Sequence, residues 1–480
     1  MSDPIRLIGR LRAFEARRAI RVASHLQVSI EPHALVVCPL AMAGEDTTIH
    51  AVAIGGIGMP PQIRVVPDPR VRDEHYALIE WMGGVIESYY QERRRLGEFP
   101  QIWVSSGAAA GHLDILADRL RFTRNAPVVK RTGDLLTYVT ERMPVAGQQA
   151  LMTATGALSA HYCTGQQEGE DEHLGVFLTW LDPPAGIEIW RAIEIAERQI
   201  MGVKTDPEFD RTDLQPLLKA YNFARKTGEA AQIRRRADAI EAHLAPLVGD
   251  IYASVQRALG FLQGRFPPAP VLAELVRCEA KEFFNFMNSR DNDYPLPYRD
   301  SPKAAAFKIS ERELAIQNTE RGAIYGDRLA QARAQLSGKI VTGVCGGATI
   351  TKTGPRKFDH RFYIDTAQTN LHVRRGDTLA LLRDPRLLCI VEDVNRIGAV
   401  TRVSFLVDDG MRAVGMPPNG ASVDLAPPPP DWFWLSRMRG KMASRLATPP
   451  WTHVQAPPPA QPDTTNIRPH RLLDAVENLR

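Results

Sequence analysis

The chain has 480 residues and a mass of 53.3 kDa, enough for about two to four domains, each with its own core. Hydrophobic residues at 44% and charged residues at 24% exclude a disordered, collagenous or membrane-embedded chain. A formal net charge of +4, with a pI near 8.8, permits contact with a phosphate backbone without demanding it.

Residues 1–23 read as an Arg-rich helix without the apolar core of a signal peptide. Asp3, Glu15 and the few serines there stand against a transit peptide. No run of 18 or more apolar residues occurs, so no membrane partner is expected. Cys38, Cys163, Cys278, Cys345 and Cys389 stand singly, with no CxxC pair and no histidine at metal-ligand spacing. A disulfide framework or zinc ribbon is not expected, and the expected location is the reducing cytoplasm.

After a helix over 5–28, the stretches ALVVCPLAM, TIHAVAIGG and QIRVVPD predict three strands. DEHYALIEWMGGVIESYYQERRRLG predicts an amphipathic helix stopped by Gly97. PQIWVSS predicts another strand and GHLDILADRLRF another helix. Residues 33–123 thus read β-β-β-α-β-α, an order compatible with an RNase H-like sheet. The aromatic strand and Leu-rich helix at Gln101–Leu120 resemble exonuclease domains of that fold. Such nucleases hold two metal ions on converging carboxylates, the first on the opening strand. Here that strand reads Val36-Val37-Cys38-Pro39-Leu40, with Glu45 and Asp46 only beyond it. Asp114 and Asp118 read as a solvated helix face. The expected domain is a catalytically degenerate copy, over residues 1–126.

Residues 127–310 predict a helical domain. Two helical stretches flank Pro144, and further helices cover 188–201, 212–228, 229–263 and 271–290. A proline-rich crossing, 291–303, precedes a stalk helix from Glu311 to Leu336. From Gly338, five or six short strands are predicted, punctuated at Lys352-Thr353-Gly354-Pro355, Arg374-Arg375-Gly376-Asp377, Arg396-Ile397-Gly398 and Asp408-Asp409-Gly410. That spacing suits a small barrel. A polyproline connector leads to a helix over Trp432–Leu446. Residues 447–480 read as a proline-rich linker with a terminal docking helix. The fold class expected is a multidomain α/β, α and β chain: RNase H-like sheet, helical middle, small C-terminal β-barrel.

The stalk, the pair Gly376-Asp377, the later Gly398-Ala399-Val400 and the Arg437-Met438 pair of the closing helix carry a resemblance. Together, over 311–446, they resemble the stalk and β-barrel accessory domain of Upf1-like superfamily 1 helicases. The resemblance implies a barrel that guides a nucleic-acid strand, with the motor supplied by a separate ATPase chain.

Gly346 to Thr353 matches the phosphate-loop pattern GxxxxGK[ST] except that Thr351 replaces the second glycine. A turn follows where a helix is required, so a strand and turn are expected and no nucleotide site. The acidic loop Glu168–His173 and the scattered Asp359, His360, Asp365, Glu392 and Asp393 read as solvated. No lysine follows Glu392 in nuclease spacing, and neither GxSxG nor HExxH occurs. No catalytic residue, metal ligand or cofactor is assigned.

The positive case is cationic. Lys352, Arg356, Lys357 and Arg361 decorate one hairpin, Arg374 and Arg375 the next turn, and Arg437, Arg439, Lys441 and Arg445 the closing helix. Phe358, Phe362 and Tyr363 lie among them. Cations interleaved with rings suit a groove that tracks phosphates and stacks bases. The arginine triplets 93–95 and 234–236 read as solvated helix faces. The function expected is a non-catalytic accessory subunit binding single-stranded DNA or RNA. The alternatives are a metal-dependent nuclease and a protein-assembly scaffold.

Overall fold

A computed structural model describes residues 4–292, 300–355, 358–430, 443 and 446–447. The chain divides into two compact units, Met1–Leu296 with Ala315–Trp432, and Pro297–Leu314 with Phe433–Arg480. The molecule is mixed α/β with several sheets and a helical middle. No helix among the described residues is long and apolar enough to cross a membrane.

The N-terminal body is built on five strands: β1 Leu35–Leu40, β2 Ala51–Gly56, β3 Gln62–Val65, β4 Ile102–Val104 and β5 Leu151–Thr153. Their order is β3-β2-β1-β4-β5. The first three pair antiparallel, while β4 and β5 continue the sheet parallel to β1. β1 is apolar throughout because both its faces are covered. Val36, Cys38 and Leu40 enter one core, Leu35 and Val37 the other, as a two-residue period requires.

Three helices, α2 Arg72–Leu96, α3 Gly107–Leu120 and α4 Pro127–Arg142, cover the Val37 face with Phe283 and Met287. On the other face lie α5 Ala154–His161, α6 Leu174–Leu181 and the long helix Ala230–Leu262. The boundary expected at residue 126 therefore falls inside this body. α4 and β5 lie beyond it: β5 completes the sheet, and α4 with the helices of the middle segment covers it. β5 replaces part of a predicted helical stretch. It is three residues long, and its partner Ile102–Val104 holds it in place.

Further along come α7 Ile189–Glu197, α8 Gln215–Thr227, α9 Ala230–Leu262, α10 Leu272–Asp291, α11 Pro302–Gly326 and α12 Arg328–Leu336. The expected continuous stalk is broken between α11 and α12. Asp327 leaves the helical backbone there, and its carboxylate caps α12 by accepting from the N–H groups of Leu329 and Ala330, at 2.7 and 3.3 Å. The same carboxylate accepts from the Ser24 N–H at 3.1 Å, which ties α12 to the N-terminal body.

Six strands follow: β6 Val341–Lys352, β7 Phe358–Thr366, β8 Thr378–Leu381, β9 Leu388–Ile397, β10 Val400–Asp409 and β11 Ser422–Ala426. They close into a barrel in the order β8-β9-β10-β7-β6-β11. Inward residues alternate with outward ones. Phe362, Ile364, Val403 and Phe405 fill the core, and the Phe362 and Phe405 rings stack at 5.3 Å. Arg361, Tyr363 and Asp365 take the alternate, outward positions of β7, with Arg402 and Ser404 opposite on β10.

Candidate nucleic-acid interface on the barrel

Beyond their pairing with β10 and β11, residues 349–352 of β6 and 358–360 of β7 pair only with each other, as a two-stranded arm. Register places Ile350 opposite His360 and Lys352 opposite Phe358. Alternation sets these four on one face of the arm. Ile350 is 61% and Phe358 51% exposed, and Lys352 is exposed beside them. The exposed Phe358 ring can stack a base, with Ile350 extending its apolar surface, while the Lys352 ammonium meets a phosphate.

The glycine pair of the near-miss phosphate loop has a different task. Gly346 and Gly347 lie within β6, at a bulge where the pairing register slips. A Cβ on either would run into the Tyr363 ring, at 2.7 and 2.4 Å, and Gly347 has φ +60°. The ring's position thus requires glycine at both positions. The Arg402 guanidinium lies 3.6 Å from the ring centroid. Arg402 also makes two hydrogen bonds to Asp365, its cross-strand partner, at 2.7 and 2.8 Å. That contact holds the Asp365 carboxyl below the usual carboxylate range.

The predicted cations separate into three groups. Arg361 is compensated: its Nε donates to both oxygens of Glu392, at 3.1 and 3.0 Å, and its Nη2 to Asp359 at 3.1 Å. These partners, Glu392 first, raise its pKa further. Its charge is therefore spent within the barrel wall. Lys352, Arg374 and Arg375 are exposed and have no carboxylate partner among the described residues. Lys352 ends β6 and the arginines precede β8, strands that are not hydrogen-bonded neighbours. The turn carrying Arg374 and Arg375 is fixed by the Asp377 carboxylate, which accepts from the Arg374 N–H at 2.7 Å, and by Gly376 N–H to Val391. Arg356, Lys357, Arg437, Arg439, Lys441 and Arg445 lie outside the described residues. Arg396 and Arg412, not singled out by sequence, are also exposed without a carboxylate partner among the described residues.

Two acids of the Glu168–His173 loop, Asp171 and Glu172, make contacts that hold the fold. In the acidic loop, Asp171 is buried against Arg10 at 2.9 Å and accepts from Thr164 at 2.5 Å, which pins the helix α1 Pro4–Ala16 to the body. Glu172 accepts from the Gly107 N–H at 3.1 Å and from Thr155 at 3.3 Å. Among the described residues no group of three or more His, Cys, Asp or Glu side chains could hold a metal ion. All five cysteines are free thiols.

Comparisons with protein-family models, with curated proteins and with solved structures find no match to this chain.

Proposed function

We propose that this chain is a nucleic-acid-binding accessory subunit of a helicase- or nuclease-type complex. Its barrel guides a single strand of DNA or RNA towards a motor on a separate ATPase chain. The observation that carries this reading is the β6–β7 arm, with exposed Ile350, Phe358 and Lys352 on one face. A stacking surface next to a cation is the minimum needed to hold a single strand without reading its sequence.

In this reading the N-terminal body is an RNase H-like domain. Support comes from the strand order β3-β2-β1-β4-β5, antiparallel then parallel, with β1 at the centre. Every residue of β1 is apolar or cysteine, so the position where two-metal nucleases carry their first carboxylate is filled by core. The domain then serves binding or assembly rather than cleavage. The helicase-type assignment of the barrel rests on its closed six-stranded form and on the helices α11 and α12 that lead into it.

The test is incubation of the full chain with labelled single-stranded oligonucleotides, with magnesium and with chelator. The reading expects a retarded complex in both conditions and intact oligonucleotide throughout. Cleavage that needs magnesium and stops with chelator would establish the nuclease instead. Absence of any complex at low salt would leave only a protein scaffold.

A further inference from the structure

Two arginine triplets lie on helices, and their sequences give no reason to treat them differently. Their surroundings differ at two of the three positions; Arg95, like the second triplet, is exposed without a carboxylate partner among the described residues. In α2, Arg93 is buried and pairs with Glu98 at 2.5 Å and Glu92 at 3.3 Å. Arg94 pairs with Asp291 at 2.5 Å. In α9, Arg234, Arg235 and Arg236 are all exposed on the opening turns. None meets a carboxylate among the described residues.

The preceding helix adds to this charge. α8 ends at Thr227, and the two-residue connection Gly228-Glu229 leads into α9, which packs against it. Lys219, Phe223 and Lys226 fall at i, i+4 and i+7, one stripe of α8, and both lysines are exposed and unpaired among the described residues. Phe223 is 69% exposed, the most open large apolar side chain among the described residues. Only Arg225 is engaged, 3.6 Å from Glu74. From Lys219 to Arg236 the segment carries six cations and one acid, Glu229, a net +5 where the whole chain carries +4; Glu74 offsets Arg225, and Asp238 follows Arg236 by two residues.

We infer that the α8–α9 elbow is a second binding surface for a single nucleic-acid strand, separate from the barrel. The guanidinium groups of Arg234, Arg235 and Arg236 and the ammonium groups of Lys219 and Lys226 contact phosphates, and the Phe223 ring stacks a base. This rests on the nucleic-acid reading above and adds the place where a strand continues beyond the barrel. A bilayer is a poorer fit, because one exposed ring offers too little apolar area to enter it.

The test is fluorescence anisotropy of the full chain with labelled oligo(dT), oligo(rU) and a short duplex across a salt series. R234A/R235A/R236A is expected to reduce the slope of log affinity against log salt by about 2 on single strands, at about 0.7 per phosphate contact. The corresponding lysine triple variant is expected to keep the slope. F223A is expected to weaken single-strand binding by about 5- to 100-fold at unchanged slope and to leave duplex binding alone. All these positions are exposed, and unchanged thermal unfolding verifies the fold of each variant. Wild-type affinity and slope in R234A/R235A/R236A would overturn the inference, as would its binding phosphatidylserine vesicles but no nucleic acid. If K352A/R374A/R375A abolishes binding while the elbow variants match wild type, the elbow falls and the barrel reading stands. The reverse pattern removes the barrel and keeps the elbow.

Discussion

Both carboxylate oxygens of Glu392 accept from the Arg361 Nε, at 3.1 and 3.0 Å, and Asp359 takes the Nη2 of the same guanidinium. A cation that sequence places on the nucleic-acid face is thereby neutralised before any strand arrives. Replacing both acids, D359N/E392Q, releases it. The double variant is expected to bind single strands more tightly and to steepen the salt slope by about 0.7, one phosphate contact. The pairs are partly exposed and contribute little to stability. Weaker binding in an anisotropy titration would contradict this account of Arg361.

Adjacent glycines in α2 are expected to respond in opposite directions. A Cβ at buried Gly83 would fall 1.9 Å from the Thr132 hydroxyl of α4, so G83A forces the two helices apart and costs about 1–3 kcal/mol. At Gly84, exposed in the same helix, nothing lies within 4 Å, and G84A is expected to gain about 0.5–1 kcal/mol. Urea unfolding of the two variants reads both signs. Equal effects would mean that α2 and α4 do not approach at Gly83 as described.

Much of the framework was legible in the residues, because long amphipathic helices and alternating strands state their own period. The order β1, β2, β3, α2, β4, α3 and the separation of α8, α9 and α10 follow from such patterns. β5 was not legible: Leu151–Thr153 is too short to show a period, and its place comes from pairing with a strand some fifty residues earlier, Ile102–Val104. The closing strand Ser422–Ala426 hid before a proline run for the same reason. Gly326-Asp327 did carry a readable signal, a helix stop followed by a helix cap, inside what looked like one stalk. The candidate site was less legible still. Whether an arginine is free depends on carboxylates far away in sequence, as Glu392 for Arg361 and Asp291 for Arg94 illustrate.

Asp327 joins α12 to the N-terminal body. Burial alone would raise its pKa, but the hydrogen bonds from Ser24, Leu329 and Ala330 outweigh that and hold the carboxyl below its usual value. Its contribution to stability is therefore complete above the unfolded carboxylate pKa, about 4, and is lost as pH falls through the lower folded value. D327A is expected to cost about 1–3 kcal/mol, whereas D327N, which can still accept at the cap, recovers most of it. Equal destabilisation by Ala and Asn in chemical denaturation would remove the capping role.

Four buried histidines, His50, His75, His112 and His161, have pKa values lowered by burial and contribute to the response to mild acid, and the shifts of His50 and His75 are large. Burial lowers His50 to about 4, against a smaller opposing hydrogen bond to the Pro67 carbonyl. Burial first, then Arg119 and His112, lowers His75 to about 4. The His75 Nε2 accepts from the Ile49 N–H at 3.3 Å, a bond that only the neutral ring can accept. Unfolded histidine takes a proton below about 6.5, so stability is complete above that pH and declines towards pH 4, by on the order of 3 kcal/mol for each ring. The urea midpoint is expected to fall between pH 7 and pH 5, and to fall less in H50Q/H75Q. A midpoint independent of pH over that interval would contradict neutral burial of these rings.

The barrel's role rests on charge that reaches a phosphate backbone, and salt dependence measures that charge directly. Anisotropy of a labelled single strand is recorded from low to physiological salt for the wild-type chain and for K352A/R374A/R375A. The account predicts a linear fall of log affinity with log salt in the wild type and a slope shallower by about 2 in the variant, three contacts at about 0.7 each. An unchanged slope in the variant, or no binding by the wild type at the lowest salt, would contradict it.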